Sequence, residues 1–145
     1  MRAARRFLLG LSVLVLAGSI AVAQGGPPAD PDAAAIRDVI TRQIEAFRAD
    51  DGEAAFAFAS PGIRRTFGDA GTFMDMVRGG YAPVYRPRSL AFGNIERFED
   101  IFVQRVRIVG PDGRRVLALY AMERQPDGTW RIAGCQLVAD DDESV

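Results

Sequence analysis

Apolar side chains recur at three- and four-residue steps near the start of the chain, and charged side chains occupy the positions between them. Six positions follow this spacing: Ile36, Val39, Ile40, Gln43, Ile44 and Phe47. This period is typical of an amphipathic helix. Asp30-Pro31 predicts its start, because an N-cap residue is followed by proline in the first turn. Asp51-Gly52 predicts its end.

Two shorter helices are predicted next. The first covers Glu53 to Ala59. The second starts at Ser60-Pro61, which again combines a capping residue with a proline, and ends near Phe67-Gly68.

A fourth helix is predicted to start at Thr72, with Asp75 three residues later in a capping-box-like position. Gly79-Gly80 predicts its end. The following segment, Tyr81 to Arg88, contains Pro83 and Pro87 and is predicted to be extended. Beyond it the hydrophobic period changes from helical to strand-like.

Four strands are predicted in the second half of the chain, at Ser89–Phe98, Ile101–Val109, Arg115–Arg124 and Trp130–Val138. The last two connections contain Pro-Asp-Gly, ending at Gly113 and at Gly128, which suits a three-residue hairpin loop with glycine in the left-handed region. Helices followed by such strands predict an α+β fold, with N-terminal helices packed on a curved four-stranded antiparallel meander.

The hairpin loops also predict a strand register. If Gly110 pairs with Arg114 and Gln125 pairs with Thr129, then Gln104 lies opposite Tyr120, which lies opposite Gly134. The sheet face expected to receive the helices then carries Phe102, Gln104, Val106, Ile108, Val116, Ala118, Tyr120, Met122, Trp130, Ile132, Gly134, Gln136 and Val138. The other face carries Arg105, Arg107, Leu117, Leu119, Glu123, Arg131, Cys135 and Leu137, with Glu123 opposite Arg131.

Polar side chains interrupt the apolar face at one place. Gln104 and Gln136 are its amides, and the Tyr120 hydroxyl lies beside Gln104 in the predicted register. One interpretation is that these groups bond to each other, to helix backbone or to a trapped water, because an unpaired buried polar group costs about 1–3 kcal/mol. The other is that they line a mostly apolar ligand pocket, with Tyr85 contributing and Arg88 at its rim.

The other sheet face has more apolar area than a solvated sheet requires. Leu117, Leu119 and Leu137, together with Cys135, predict a surface through which the chain forms a homodimer. Cys135 is the single cysteine, so an intramolecular disulfide cannot form, and its apolar strand indicates a buried small hydrophobe.

The first 23 residues have the layout of a secretory signal peptide: a basic start with three arginines, an apolar run from Phe7 to Val22, and small residues before the cleavage point between Ala23 and Gln24. The run is shorter than the roughly 20 residues of a membrane-spanning helix. We therefore expect a periplasmic or secreted protein without a stable membrane span after cleavage, exported by the general secretory or the twin-arginine route. The expected division is a signal peptide (1–23), a flexible linker (24–30), one domain (31–138) and an acidic tail (139–145).

Composition narrows the chemistry. Without its first 23 residues the chain has 15 arginines and 19 acidic residues, which gives no basic face for nucleic acid. Histidine and lysine are absent. The most common metal ligand and the most common general base near neutral pH are therefore missing, so we expect no metal site, no cofactor and no assigned catalytic residue.

Four segments carry a family resemblance: Ile40–Phe47, Ala59–Ile63, Tyr81–Pro87 with its Tyr-Arg-Pro, and Trp130–Leu137 with its Trp-Arg-Ile. The chain resembles the domain of unknown function 4864 family over about residues 34–138. It is also similar to the nuclear transport factor 2-like superfamily, which implies an α+β cone whose strands wrap a long helix. Neither resemblance implies one particular activity, since such folds carry many functions.

Three functions are compatible with these observations. The first is an exported, non-catalytic domain that binds a small apolar or amphipathic molecule, or a partner protein. The second is a dimerising structural or assembly module of the cell envelope. The third, implied by the superfamily resemblance, is an isomerase- or dehydratase-like enzyme that uses a carboxylate–tyrosine pair; it requires a carboxylate within hydrogen-bond reach of Tyr85 or Tyr120.

Overall fold

The computed structural model describes residues 30–141, so the predicted signal peptide, its cleavage site, most of the linker and the end of the acidic tail lie outside the described residues. Five helices precede four strands: α1 (Pro31–Arg48), α2 (Gly52–Ala57), α3 (Pro61–Phe67), α4 (Ala70–Gly80), α5 (Ala82–Tyr85), β1 (Ser89–Phe98), β2 (Ile101–Val109), β3 (Arg115–Arg124) and β4 (Trp130–Ala139). The strands form one antiparallel sheet in the order β1-β2-β3-β4. The predicted α+β fold is confirmed.

The first helix begins as its sequence predicts. The Asp30 side chain accepts a hydrogen bond from the backbone N–H of Asp32, and Pro31 occupies the first turn, where a missing N–H leaves no partner unsatisfied. The Ser60 hydroxyl in the same way accepts from the N–H of Ile63 at the start of α3. These local signals set both boundaries without help from the rest of the fold.

The cap predicted for α4 is wrong. Asp69, not Thr72, is the N-cap, and its carboxylate accepts a hydrogen bond from the backbone N–H of Thr72 at 2.7 Å. Gly68 precedes it with a φ of 80°, a left-handed conformation that turns the chain sharply out of α3. The helix therefore starts three residues earlier, and Asp75 forms an ion pair with Arg78 at 3.5 Å instead of a capping box.

The segment before the sheet is also not extended as predicted. Residues Ala82–Tyr85 form the short helix α5, with Pro83 in its first turn. A proline at that position is tolerated because the first turn has no intrahelical partner for its nitrogen. Pro87 follows the helix and precedes β1.

The register between β2 and β3 is confirmed: Gln104 pairs with Tyr120, as the glycine turn predicts. The Gly113 N–H donates to the Gly110 carbonyl at 3.0 Å, and Gly113 has a φ of 82°. The β3–β4 turn has the same geometry around Gly128, with a φ of 86°.

The register between β3 and β4 departs from the prediction. Glu123 pairs with Arg131 as expected, but Ala121 pairs with Gly134 and Met122 with Ile132, so β4 contains one extra residue, Ala133. This β-bulge exchanges the two faces of the strand from that point onward.

The exchange overturns the predicted faces of five β4 residues, Gly134 to Val138. Gly134 pairs with Ala121 and Val138 with Leu117, so both lie on the uncovered face and not on the helix-covered face as predicted. Cys135 pairs with Tyr120 and Leu137 with Ala118, so both lie on the helix-covered face and pack against the core. Gln136 pairs with Leu119 and is exposed on the opposite face. The domain's last strand also reaches Ala139, one residue beyond the predicted boundary.

A tertiary contact accompanies the bulge. The segment that joins α2 to α3 pairs with the free edge of β4: the Ile132 N–H donates to the Phe58 carbonyl at 2.9 Å, and the Ser60 N–H donates to the Ile132 carbonyl at 2.8 Å. The edge strand is thus bonded on both sides at Ile132, one residue before Ala133.

The core lies between the helices and one face of the sheet. On α1 the buried residues are Ile36, Ile40, Gln43, Ile44, Ala46 and Phe47. On the sheet they are Gln104, Val106, Ile108, Ala118, Tyr120, Met122, Trp130 and Ile132. Within residues 30–141, none of the helices is long and apolar enough to cross a membrane.

Candidate functional site

A cavity of about 310 Å³ lies between the helices and the β3–β4 part of the sheet. Its walls come from all the helices except α2, and from the bulged half of β4. The lining residues are Gln43, Phe47, Ala59, Ile63, Phe67, Phe73, Met76, Val77, Tyr81, Val84, Tyr120, Ile132, Gly134 and Cys135. None of them carries a charge at neutral pH, and most are hydrocarbon or aromatic.

The lining of the cavity divides into buried and half-buried residues. Phe47, Val77 and Tyr120 belong to the buried part of the lining, which we call the closed end. Ile63 and Phe67 of α3 are half-buried. Since α3 has no fully buried residue, it forms a thin outer wall on the open side.

The Tyr120 hydroxyl is the distinctive polar group of the closed end. Tyr120 is 1% exposed, and its hydroxyl has no hydrogen-bond partner among residues 30–141. The Cys135 thiol interacts with it, but a thiol is a weak hydrogen-bonding group and does not replace an oxygen or nitrogen partner. A buried hydroxyl without a partner costs about 1–3 kcal/mol, so this group calls for an explanation.

Burial also governs the ionisation of the pair. Desolvation raises the pKa of Tyr120 well above its ordinary value. Desolvation likewise raises the pKa of Cys135 to about 12, with the Tyr120 hydroxyl a smaller, opposing influence. Both groups are therefore neutral at physiological pH: the phenol is a hydrogen-bond donor, and the thiol is not a nucleophile.

Two further polar side chains line the cavity, and both have partners. The Tyr81 hydroxyl donates to the Cys135 carbonyl at 3.0 Å, which ties the start of α5 to β4. The Gln43 amide donates to the Ala55 carbonyl at 3.1 Å and so links α1 to α2. Tyr120 differs from both because its hydroxyl contacts only the Cys135 thiol and has no oxygen or nitrogen partner among residues 30–141.

Gln104, predicted to be in the pocket, is buried but lies outside the cavity lining. Its amide nitrogen donates to the Gly93 carbonyl at 2.9 Å and to the Arg105 carbonyl at 2.8 Å. Its amide oxygen accepts from the Arg37 guanidinium at 3.3 Å. These contacts stabilise β1 at its register shift between Phe92 and Ile95. The amide nitrogen and the amide oxygen of Gln104 therefore both have hydrogen-bond partners within the domain.

Tyr85 also lies outside the lining, in a surface cluster. Its hydroxyl donates to the Asp50 carboxylate, which forms ion pairs with Arg86 at 2.9 Å and Arg78 at 3.7 Å. The hydrogen bond from Tyr85, followed by the two arginines, holds the pKa of Asp50 below its usual value. The carboxylate–tyrosine pair required by the enzyme hypothesis therefore exists, and it consists of Asp50 and Tyr85. The pair is exposed, its carboxylate is held ionised, and Tyr120 takes no part in it.

This surface cluster has a structural role. A second Arg86 nitrogen donates to the Phe47 carbonyl at the end of α1, and Arg48 donates to the Pro87 carbonyl at 3.1 Å. The Arg86 guanidinium also lies 3.9 Å from the centre of the Tyr85 ring. Together these contacts clamp α5 against the C-terminus of α1.

Gln136 and Arg88 do not contribute to the cavity either. Gln136 lies exposed on the opposite sheet face because of the bulge. Arg88 is exposed, its backbone N–H donates to the Val109 carbonyl at 2.8 Å, and its side chain extends to the β2–β3 turn at Gly113. Of the predicted pocket residues, the structure places Tyr120 alone in the cavity wall.

Most of the cavity wall consists of residues that the sequence pattern did not indicate as pocket residues. Phe67, Phe73, Met76, Val77, Tyr81 and Val84 come from α3, α4 and α5, whose mutual packing has no signal in the hydrophobic pattern. The sequence did contain a signal for Gln43, which is an amide within the apolar stripe of α1. A polar residue at a core-facing helical position indicates a buried polar contact, whatever its partner.

A second, wider depression of about 660 Å³ lies at the other end of the sheet, near Trp130 and Asp32. Its lining includes five charged side chains, and Arg124 there is paired with Asp32. Within residues 30–141 there is no group of three or more cysteine, aspartate or glutamate side chains positioned to hold a metal ion.

These features define a class: an α+β protein whose antiparallel meander and covering helices enclose an uncharged, half-open cavity. The chain belongs to the family described as "Domain of unknown function (DUF4864)", which matches residues 29–145 and confirms the predicted family. The chain is also similar to the crystal structure of an NTF-2 like protein of unknown function from Burkholderia xenovorans LB400. That similarity has 14% identity and a TM-score of 0.48, and it covers 78% of this chain and 89% of the other. No curated protein matches the chain.

Proposed function

We propose that this domain is a non-catalytic binding protein for a small, mostly apolar molecule, held in the cavity between helices and sheet. The observation that carries the proposal is that Tyr120 lines an apolar cavity and has a fully buried hydroxyl without an oxygen or nitrogen partner among residues 30–141. A ligand oxygen at that point would remove the cost of the unpaired hydroxyl.

The size and chemistry of the cavity support the same proposal. Small-molecule sites are typically clefts of about 300–1,000 Å³ with mainly apolar walls and a few polar groups that set orientation. The volume of about 310 Å³ lies at the lower end of this range. Contact with Phe47, Phe73 and their neighbours would supply the affinity, at about 25 cal/mol per Å² of apolar surface buried.

The charged groups favour binding over acid–base catalysis. The described lining contains no carboxylate, and the Asp50–Tyr85 pair lies on the surface with Asp50 held ionised by its neighbours. A carboxylate with a lowered pKa is a weak base. The cavity can position a molecule, and the general base for a reaction would have to come from elsewhere.

The proposal is tested with a matched pair of substitutions. Ala59→Leu enlarges a side chain that lines the cavity, whereas Ala57→Leu makes the same change at an exposed position of α2. We expect native mass spectrometry of gently purified protein to detect a bound small molecule in the wild type and in Ala57→Leu, and to detect none in Ala59→Leu.

A panel of apolar metabolites in a thermal-shift assay extends this test to protein stripped of its ligand. We expect compounds that bind in the cavity to raise the melting temperature of the wild type and of Ala57→Leu, but not that of Ala59→Leu. Equal shifts in both variants, or no copurified molecule and no shift with any compound, would contradict the binding function.

A second candidate function is assembly through the uncovered sheet face, and the corrected register supports it. Five apolar residues lie side by side there and are half-buried: Val103, Leu117, Leu119, Ala121 and Val138, the last in place of the predicted Leu137. Charges of both signs surround them, in the Arg105–Glu96 ion pair and the Arg131–Glu123 pairing. A second copy of the chain related by a two-fold axis would present opposite charges to this surface.

We expect sedimentation equilibrium at micromolar concentration to give a dimer, and Leu119→Arg at the centre of this face to give a monomer with an unchanged circular dichroism spectrum. Ala35→Arg, on the exposed side of α1, is the control and should leave the dimer intact. A wild-type monomer across the concentration range would rule this assembly out.

Export is part of the proposed function, supported by the arginine-rich start and apolar run that precede Ala23-Gln24. Expression of the full chain in a bacterium, followed by intact-mass analysis of the periplasmic fraction, is expected to give a protein that begins at Gln24. Full-length protein confined to the cytoplasm or retained in the membrane would contradict it.

A further inference from the structure

We infer that the cavity selects an uncharged molecule with an oxygen that accepts a hydrogen bond, such as a ketone or an alcohol, and that this oxygen enters first, toward Tyr120. The inference rests on the proposed binding function and deepens it. It follows from three features: the lack of charge in the described wall, the partners of the surrounding arginines, and the identity of the unpaired group.

The wall offers nothing to balance an ionised ligand. A carboxylate placed at Tyr120 would meet one hydroxyl donor and otherwise hydrocarbon, aromatic rings and a neutral thiol. Removing a charge from water into such surroundings is costly unless a counter-charge and several hydrogen bonds replace the water. The closed end therefore discriminates against fatty acids and other anions that would place their head group there.

Three arginines close in sequence to the wall have other contacts. Arg64 of α3 lies 5.5 Å from the centre of the Phe56 ring. Arg78 of α4 pairs with Asp75 and Asp50, and Arg86 pairs with Asp50 and with the end of α1. Moving any of these three charges to the closed end would require breaking its contacts.

The unpaired group determines the polarity of the ligand. Tyr120 is a phenol, and among residues 30–141 its proton has no oxygen or nitrogen acceptor, only the weakly accepting sulfur of Cys135. A carbonyl or hydroxyl oxygen on the ligand supplies that acceptor, whereas a hydrocarbon leaves the proton unpaired. An oxygen-bearing ligand should therefore bind more tightly than its hydrocarbon counterpart, and Tyr120 alone should account for the difference.

The apolar body of the ligand would lie against aromatic rings. Phe73 contacts Phe47 with ring centres 6.2 Å apart and Phe67 with ring centres 5.8 Å apart, and all three line the cavity. Phe67 is half-buried and belongs to the outer wall, whereas Phe47 is buried. The rings thus extend from the open side to the closed end and provide a continuous surface for a flat apolar molecule.

Three probes with one ring system separate these contributions: naphthalene, 2-acetylnaphthalene and 2-naphthoate, titrated at neutral pH into ligand-free protein and followed by ligand-observed NMR. The ketone is expected to bind about five- to tenfold more tightly than naphthalene, the ratio that one net hydrogen bond supplies. The carboxylate, which has nearly the shape of the ketone, is expected to bind at least about tenfold more weakly than the ketone because its charge is not balanced.

Tyr120→Phe keeps the ring and removes the hydroxyl. In this variant we expect the ketone and naphthalene to bind with equal affinity, with naphthalene itself unchanged. Tyr81→Phe is the control, because it removes a hydroxyl from the same wall that already has a partner, and it should preserve the preference for the ketone.

The outcomes separate the two levels of the proposal. If 2-naphthoate binds as tightly as the ketone, or if the preference for the ketone survives in Tyr120→Phe, the inference about ligand class is overturned while the binding function stands. If none of the three probes binds to the wild type, the inference about ligand class is overturned, and the binding function is decided separately by the mass-spectrometry and thermal-shift tests of the Ala59→Leu and Ala57→Leu pair.

Discussion

Gln104→Leu is expected to lower the free energy of unfolding by about 1–2 kcal/mol, although it replaces a polar core residue with an apolar one of similar size. The amide of Gln104 donates to the carbonyls of Gly93 and Arg105 and accepts from Arg37. Leucine would remove the bond to the Arg105 carbonyl, at about 1–3 kcal/mol for an unsatisfied group, and its greater hydrophobicity offsets part of the loss. The exposed Gly93 carbonyl keeps a hydrogen bond from Arg37 at 3.3 Å. Urea denaturation followed by circular dichroism measures the effect.

The chain contains a matched control for this change. Gln136→Leu makes the same substitution on the same sheet, but at an exposed position on the opposite face. Surface substitutions of this kind normally change stability by less than about 0.5 kcal/mol. Similar losses for the two variants would mean that the bulge in β4 does not exist and that Gln136 is buried, as the unbulged register predicts.

Tyr120→Phe is expected to raise the free energy of unfolding of the ligand-free protein by about 1–2 kcal/mol, because the substitution removes a buried hydroxyl that has no partner. Tyr81→Phe removes a hydroxyl from the same cavity wall and is expected to lower it by about 1 kcal/mol, since the hydroxyl bonds to the Cys135 carbonyl at 3.0 Å. One chemical change at two positions should thus have opposite signs. The measurement is chemical denaturation of protein refolded from denaturant, which removes any copurified ligand.

The sign of the stability change caused by Tyr120→Phe also depends on whether a ligand occupies the cavity. With 2-acetylnaphthalene in excess, the wild type gains stability from a ligand that the variant binds less well, so the advantage of the variant should shrink or reverse. A loss of stability in ligand-free Tyr120→Phe would contradict the account of the hydroxyl as unsatisfied. It would indicate that the contact with the Cys135 thiol stabilises the fold.

The helices and strands were largely predictable because their signals are local. The Asp30-Pro31 and Ser60-Pro61 boundaries depend on side chains within one turn of the helix start. The β2–β3 register, and with it the position of Tyr120 opposite Gln104, follows from the geometry of a three-residue loop closed by Gly113. Such features are decided by neighbours in the chain and do not require knowledge of the rest of the fold.

The wrong face assignments in β4 have a different cause. Gln136 and Leu137 were assigned to the wrong faces because Ala133 is an extra residue in β4. The strand is bonded one residue earlier to the segment Phe58–Ser60, more than 70 positions away in the chain by its numbering. The free edge of a sheet accommodates a bulge readily, and the edge partner is a tertiary choice that the alternation of β4 does not encode.

The candidate site shows the same division. Tyr120 was located by register, and its burial by the apolar pattern around it. Whether its hydroxyl would be satisfied depended on which side chains came to surround it, and the bulge brought Cys135, a weak partner, where Gly134 was expected. Tyr85 was assigned to the pocket, but α5 formed where an extended segment was predicted, and the tyrosine joined Asp50 on the surface.

The sequence by itself determined the order of elements, the α+β class, the amphipathic face of α1 and the lack of histidine and lysine chemistry, because each depends on composition or on residues close together in the chain. The tertiary structure decided which polar groups found partners and where a cavity was left. That outcome depends on the packing of α3, α4 and α5 against a bulged strand edge, and packing is a property of groups brought together from distant positions. Gln104 found its partners within the fold, whereas Tyr120 did not, and this difference is what gives the cavity its proposed function.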